Sequence, residues 1–358
     1  MGEDQGTVKG TAGRTLMVLA ALVIVIAGLR AAQPIVTQVL LAAFLAVICY
    51  PALAWLREKG FPNWLALLIV VVVGTLVVLS VVALAGASLT EFYNRMPEYQ
   101  GELEVQRQQL VQWLEHYRVD VSEIVEQEGL DPQGLLQLAK VVLGTLGSLS
   151  GNLVLILLIF VFLLLEVSGL PDKIRAMPGH SLASEQRITD VLISIRHYLA
   201  IKTQMSLVTG TLVAVWLAML DVDFPLLWGL LAFLFNFVPN IGSVIAAIPA
   251  VVLALVQLGP GAAVMASVGY ASINGVIGYI VEPRLMGRGL GLSTLVVFLS
   301  LLVWGWVLGP VGMLLSVPLT MLVKIALESS EETRWIAILL AAEAPPVATE
   351  DPPPAKAG

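Results

Sequence analysis

FPLLWGLLAFLFNFVPNIGSVIAAIPAVVLALVQLGPGAAVMASVGYASINGVIGYIV, residues 224–281, runs for 58 positions without an Asp, Glu, Lys or Arg. A helix needs about 20 apolar residues to cross the hydrocarbon of a bilayer, so this run is too long for one crossing. Asp221 and Asp223 stand at its near end, Arg284 and Arg288 at its far end. Lys and Arg in short loops stay cytoplasmic while acidic residues contribute little to orientation. An odd number of passages therefore fits, and three helices satisfy it. Phe224 to Val238 is short for a full span and Pro239-Asn240 interrupts it, so 224–258 reads as a broken hairpin, with Gly261 to Val281 crossing fully.

Working outward, the stretches Trp64 to Ala87, Val141 to Leu165, Thr203 to Leu220 and Gly289 to Val323 are also free of charge. The last is broken at Gly309-Pro310 and reads as a second hairpin, 292–323. Of the 358 residues 58% are hydrophobic and 13% charged, against about a quarter charged in a soluble domain. The expected fold is therefore all-α, a polytopic membrane helix bundle with two broken, re-entrant helical hairpins in the C-terminal half and a small extramembrane helical segment. Cys49 is the single cysteine, which excludes an intrachain disulfide framework and reads as a small buried hydrophobe.

Residues 1–15 read as an N-terminal cytoplasmic tail and 16–87 as transmembrane helices 1–3, the apolar runs Leu16 to Leu29 and Ile35 to Trp55 being separated by Arg30 and Pro34. The first run has the length of a signal-peptide core, but another apolar run follows at once, and Lys9 and Arg14 suit cytoplasmic anchors. Residues 88–140 carry ten acidic and four basic side chains and read as an extracytoplasmic helical domain, with Leu103, Leu110, Leu114, Tyr117, Val121 and Ile124 on one face. Residues 141–167 form transmembrane helix 4. Residues 168–202 form a cytoplasmic amphipathic helix, with Ile188, Val191, Leu192, Ile195, Tyr198, Leu199 and Lys202 on one side. Residues 203–328 are the C-terminal core that holds both hairpins. Residues 329–358 are a tail, with disorder expected from about 345 for want of an apolar period. Both termini come out cytoplasmic.

Irregular backbone at membrane depth survives only when buried in protein or lining a wet cavity, so broken helices point at a path. At Pro239-Asn240-Ile241-Gly242-Ser243 one half-helix ends with spare carbonyls and the next begins with free N–H groups, an arrangement able to hold an oxygen-rich solute. Gly309-Pro310-Val311-Gly312 echoes it. A kink without function is the alternative reading of this cluster, since Pro is common in membrane helices, and it is the reading taken for Pro249 or Pro318 alone. Asn236, Gln257 and Asn274 are uncharged polar residues inside the long run, and each could equally be a structural hydrogen bond between helices. Glu282-Pro283-Arg284 places opposite charges around a proline at the mouth between the hairpins.

His116, His180 and His197 lie in polar segments without ligand spacing, and no nucleophile motif or phosphate-cradling loop is present. No enzyme, no metal site and no cofactor is expected. Nucleic-acid binding has no basic patch to rest on. The partners expected are a small-molecule solute and the lipid bilayer.

Several stretches resemble a known family, the autoinducer-2 exporters of bacterial inner membranes. They are Arg196 to Thr203, Leu227-Trp228-Gly229, Asn236 to Gly242, Glu282 to Ser293 and Trp304 to Gly312. The resemblance covers roughly Leu16 to Glu328. It implies a homopentamer whose protomers each carry a broken-helix transport site, an elevator-like movement, and export of a small polyhydroxylated quorum-sensing signal. Some relatives resemble sodium/proton antiporters, whose dense intramembrane carboxylates are missing here. A membrane scaffold without transport remains the third reading.

Overall fold

The computed structural model describes residues 17, 20, 21, 23–116, 152–167, 182–239, 241–286, 291–328 and 331–342. Among these, every regular element is a helix: α1 (Gln33–Glu58), α2 (Asn63–His116), α3 (Leu153–Val167), α4 (Leu182–Met219), α5 (Pro225–Phe235), α6 (Gly242–Leu258), α7 (Pro260–Val276), a π-turn (Ile277–Val281), α8 (Glu282–Met286), α9 (Thr294–Leu314), α10 (Ser316–Glu328) and α11 (Arg334–Leu340). Among the described residues, five helical stretches are long and apolar enough to cross a membrane: Gln33–Glu58, Asn63–Phe92, Ile193–Met219, Pro260–Leu285 and Thr294–Leu314. The chain is a polytopic membrane helix bundle.

Two boundaries expected from charge fall inside helices, and a third narrows to a single residue. Ala87 lies in the middle of α2, which carries the transmembrane stretch without a break into the acidic segment as far as His116. Lys202 likewise lies within α4, so the basic amphipathic segment and the next crossing are one 38-residue helix. Its expected apolar face is real where side chains are described, since Ile195, Tyr198, Leu199 and Lys202 are all buried. Near the N-terminus, residues 23–31 are helical and only Ala32, at φ −87° and ψ 5°, separates them from α1. Pro34 lacks the N–H that would continue the ladder, which accounts for a bend there in place of a loop. Tyr117 to Gly151, 168–181 and the tail from 343 lie outside the described residues.

Apolar packing sorts the helices into neighbouring groups. Ala42, Ala46 and Leu53 of α1 meet Ala66 and Val70 of α2 and Ile156, Phe160 and Leu164 of α3, with Cys49 partly buried beside them. A second core joins α4, α5, α6 and α7 through Val213, Leu217, Leu227, Trp228, Leu231, Leu253 and Tyr270. Here α4 and α5 cross at Gly210 and Gly229: a Cβ on either would come within 2.6 Å of the other's carbonyl oxygen. Small residues let helix backbones approach this closely where lipid supplies no hydrophobic drive. A third cluster places Ile195, Tyr198 and Leu199 of α4 against Val317 and Met321 of α10, with Leu292.

Two helix pairs in the C-terminal half begin and end at shared points. Gln257, in the last turn of α6, accepts the Asp223 backbone N–H (3.0 Å) and donates toward Asp221 O (3.4 Å), just ahead of α5. Lys324 of α10 reaches back to Gly291 O (3.0 Å), just ahead of α9. α9 breaks at Gly309, whose φ of 68° suits glycine, and Trp304 Nε1 donates to Thr320 Oγ1 (2.9 Å) across the pair.

The extension of α2 clasps the base of the first pair. Asp223 carboxylate accepts from Tyr99 (2.7 Å) and from Arg95 (3.1 Å), while Phe92 stacks edge-on against Phe224 and Trp228. Burial, then the Asp223 carboxylate, pushes the Tyr99 phenol above its ordinary range.

Candidate functional site

The first break is built by its own sequence. After Phe235 the chain tightens into short turns, Phe237 N bonding Leu234 O and Val238 N bonding Phe235 O. Pro239 offers no N–H and disfavours helical geometry in Val238. The helix restarts at Gly242, where any Cβ would collide with the Phe235 carbonyl, so glycine permits the return. Asn236 Nδ2 donates to Ser206 Oγ (2.9 Å) on α4, and Phe237 meets Phe44 of α1 edge-on at 5.3 Å. The tip is therefore wedged between α1 and α4.

Beside it lies a cavity of about 620 Å³ between α4, α6 and α7. Asn236, Pro239 and Ser243 line it from the break, Asn274 and Glu282 from the far helix, and Lys202 from α4. Val244, Ala247, Ile248 and Val251 of α6 form an apolar wall. Gly275 and Gly278 form an open floor, with no atom within 4 Å of where a Cβ would stand.

Lys202 Nζ and Glu282 Oε1 pair at 2.7 Å, with side-chain exposures of 8% and 14%. Taking two charges this far from water is costly unless they face each other. The π-turn is what aims Glu282. In an uninterrupted α-helix, eight positions from Asn274 to Glu282 would put the two about 80° apart. A π-turn adds the equivalent of one residue, which restores roughly seven-residue spacing and brings Asn274, Gly278 and Glu282 into one line. The observed arrangement matches, since all three line the cavity.

Of the residues expected to mark a path, Asn236, Pro239, Ser243, Asn274 and Glu282 are brought together here. Asn240 lies outside the described residues. Gly242 packs behind the break against Phe235. Gln257 sits at the base of the α5–α6 pair, tied to Asp223. Arg284 is exposed on α8, and the partner of Glu282 is Lys202 rather than this neighbour. Gly309, Pro310 and Gly312 lie at the far tip of the α9–α10 pair, Gly312 packed against the Trp304 carbonyl.

Lys202, Ser267 and Tyr270 are cavity residues that reading the sequence missed. A signal for Lys202 existed: it is the one cation on the apolar face of its helix. Ser206 and Thr209, wholly buried one and two turns further on, extend a polar stripe along α4. Asn274 Nδ2 bonds Tyr270 O of its own helix (2.8 Å). Amides, hydroxyls and one ion pair can hold a hydrogen-bonding solute.

A polytopic helix bundle with a solute-sized polar cavity between broken helices belongs to the class of membrane transporters. Residues 19–332 match the family described as AI-2E family transporter. The chain is 43% identical over 330 residues to the AI-2 transport protein TqsA of Escherichia coli (strain K12), covering 91% of this chain and 95% of that one. It is 41% identical over 333 residues to a putative transport protein of Haemophilus influenzae, covering 91% and 96%. It is 38% identical over 325 residues to the putative transport protein YhhT of E. coli (strain K12), covering 91% and 93%. The chain belongs to the AI-2E transporter family and is a transporter, not an enzyme.

Proposed function

We propose that the chain exports a small polar solute, AI-2 or a similar quorum-sensing signal, through the cavity beside the α5–α6 break. The observation that carries this reading is the convergence of Asn236, Ser243, Asn274, Lys202 and Glu282 on one space of about 620 Å³. The name of the TqsA relative, an AI-2 transport protein, supports the choice of solute. In this reading 224–258 and 292–323 are re-entrant hairpins. α5 has 11 residues, about 16 Å of helix and half a hydrocarbon thickness, and the ties at Gln257 and Lys324 suit pairs that leave by the face they entered. The protein works as a homopentamer in a bacterial inner membrane with both termini cytoplasmic, as the family resemblance and the charge pattern suggest.

Antiport of sodium and protons is less well supported, because among the described lining residues Glu282 is the one carboxylate and it is paired. The test compares internal and external AI-2 in cells with the wild-type chain, with a variant whose cavity is filled at Gly278, and with none. Equal export by the wild type and the filled variant would remove the cavity as the route.

A further inference from the structure

The cavity carries two charges among its described lining residues, and they cancel. Lys202 and Glu282 stand 2.7 Å apart, and Lys202 is 6% exposed. The other polar groups on the wall, Asn236, Ser243, Ser267, Tyr270, Asn274 and Tyr279, are uncharged side chains. An ion entering this space would have to shed its water while one member of the pair repelled it and the other was already satisfied. A neutral hydrogen-bonding solute meets no such penalty, since amides and hydroxyls replace its water in kind.

We infer that the Lys202–Glu282 pair is a charge filter that restricts the solute to electroneutral, hydroxyl-rich molecules. This rests on the reading of the cavity as the transport site and adds to it a rule of selection. The pair selects by being neutral as a unit, so its two members have opposite and separable effects. Removing the carboxylate leaves a cation in the cavity and admits anions. Removing the ammonium leaves an anion and admits cations.

The full chain reconstituted in liposomes tests this with three four-carbon probes and AI-2 itself: erythritol, its carboxylate counterpart erythronate, and its terminal amine in protonated form. Wild type is expected to pass erythritol at least about tenfold faster than either ion. Glu282→Gln should shift the ratio toward erythronate and Lys202→Met toward the amine, each by about tenfold. If the single variants fail to insert, Lys202→Met combined with Glu282→Gln, neutral and similar in volume, should still rank erythritol first. AI-2 moving through wild type while erythritol does no better than the ions would overturn the filter and leave transport standing. Unaltered ratios in both single variants, or loss of the erythritol preference in the double variant, would overturn it too. Failure of AI-2 and of every probe to move would remove the cavity as the transport route, and the filter with it; failure of AI-2 alone would remove only AI-2 as the solute.

Discussion

Asp223 donates its backbone N–H to Gln257 Oε1 across 3.0 Å, so a residue just ahead of α5 is held by the last turn of α6. Its carboxylate meanwhile accepts from Tyr99 and Arg95 of α2. Replacing Gln257 with Leu leaves the Asp223 N–H without its partner and should cost about 1–3 kcal/mol of stability. Glu at this position keeps the acceptor and should cost less. Unfolding in detergent measures both, and a Leu variant as stable as wild type would show that the tie is not structural.

Gly242→Ala and Gly278→Leu should part company. A Cβ at Gly242 collides with the Phe235 carbonyl, so even Ala should lower the yield of folded, extractable protein. Gly278 faces open space, and Leu there should fill the cavity in a chain that folds normally but no longer moves solute. Size-exclusion profiles beside transport rates decide it. A well-folded Gly278→Leu with normal transport is the adverse result.

The π-turn makes a prediction about length. Deleting Ile280 should turn Ile277–Val281 into ordinary helix and keep the carboxylate on the Asn274 face, with transport retained. Inserting one Ala after Gly278 should swing Glu282 a further 100° or about that, breaking the pair with Lys202 and stopping transport. The reverse pattern would mean that the π-turn does not set this register.

Tyr99 should be visible in alkaline titration. Its phenol lies above the ordinary value of 10.0 in the folded chain, chiefly through burial and then through Asp223. A raised folded value means that the contribution is full below the unfolded value and is lost as pH rises past it. Tyr99→Phe should therefore flatten the loss of stability above about pH 10. Thermal unfolding across that range checks it, and an unchanged slope would put the effect elsewhere.

The bundle and both breaks were legible because lipid allows few solutions: long uncharged runs must be helices, and Pro239 and Gly309 must interrupt them. Pattern could not show where each polar side chain goes. Asn236 and Gln257 look alike in sequence, yet one meets Ser206 beside the cavity and the other Asp223 at the helix base, because α4 runs past one and the turn before α5 lies over the other. The Lys202–Glu282 pair joins residues 80 apart and depends on a π-turn that apolar composition does not announce. Helix continuity was hidden for the opposite reason. Charge changes sharply near Ala87 and Lys202, but a helix backbone has no cause to break where its surroundings change from lipid to water.

α2 runs for 54 residues, roughly 80 Å of rod, of which the apolar part, Asn63–Phe92, takes 30 residues, roughly 45 Å. What projects beyond is a lever of about 35 Å, pinned near its fulcrum where Arg95 and Tyr99 grip Asp223, and notched between those two residues by Pro97. A small sideways load at the far tip thus arrives as torque on the α5–α6 pair, delivered directly to the base of the helices that frame the cavity.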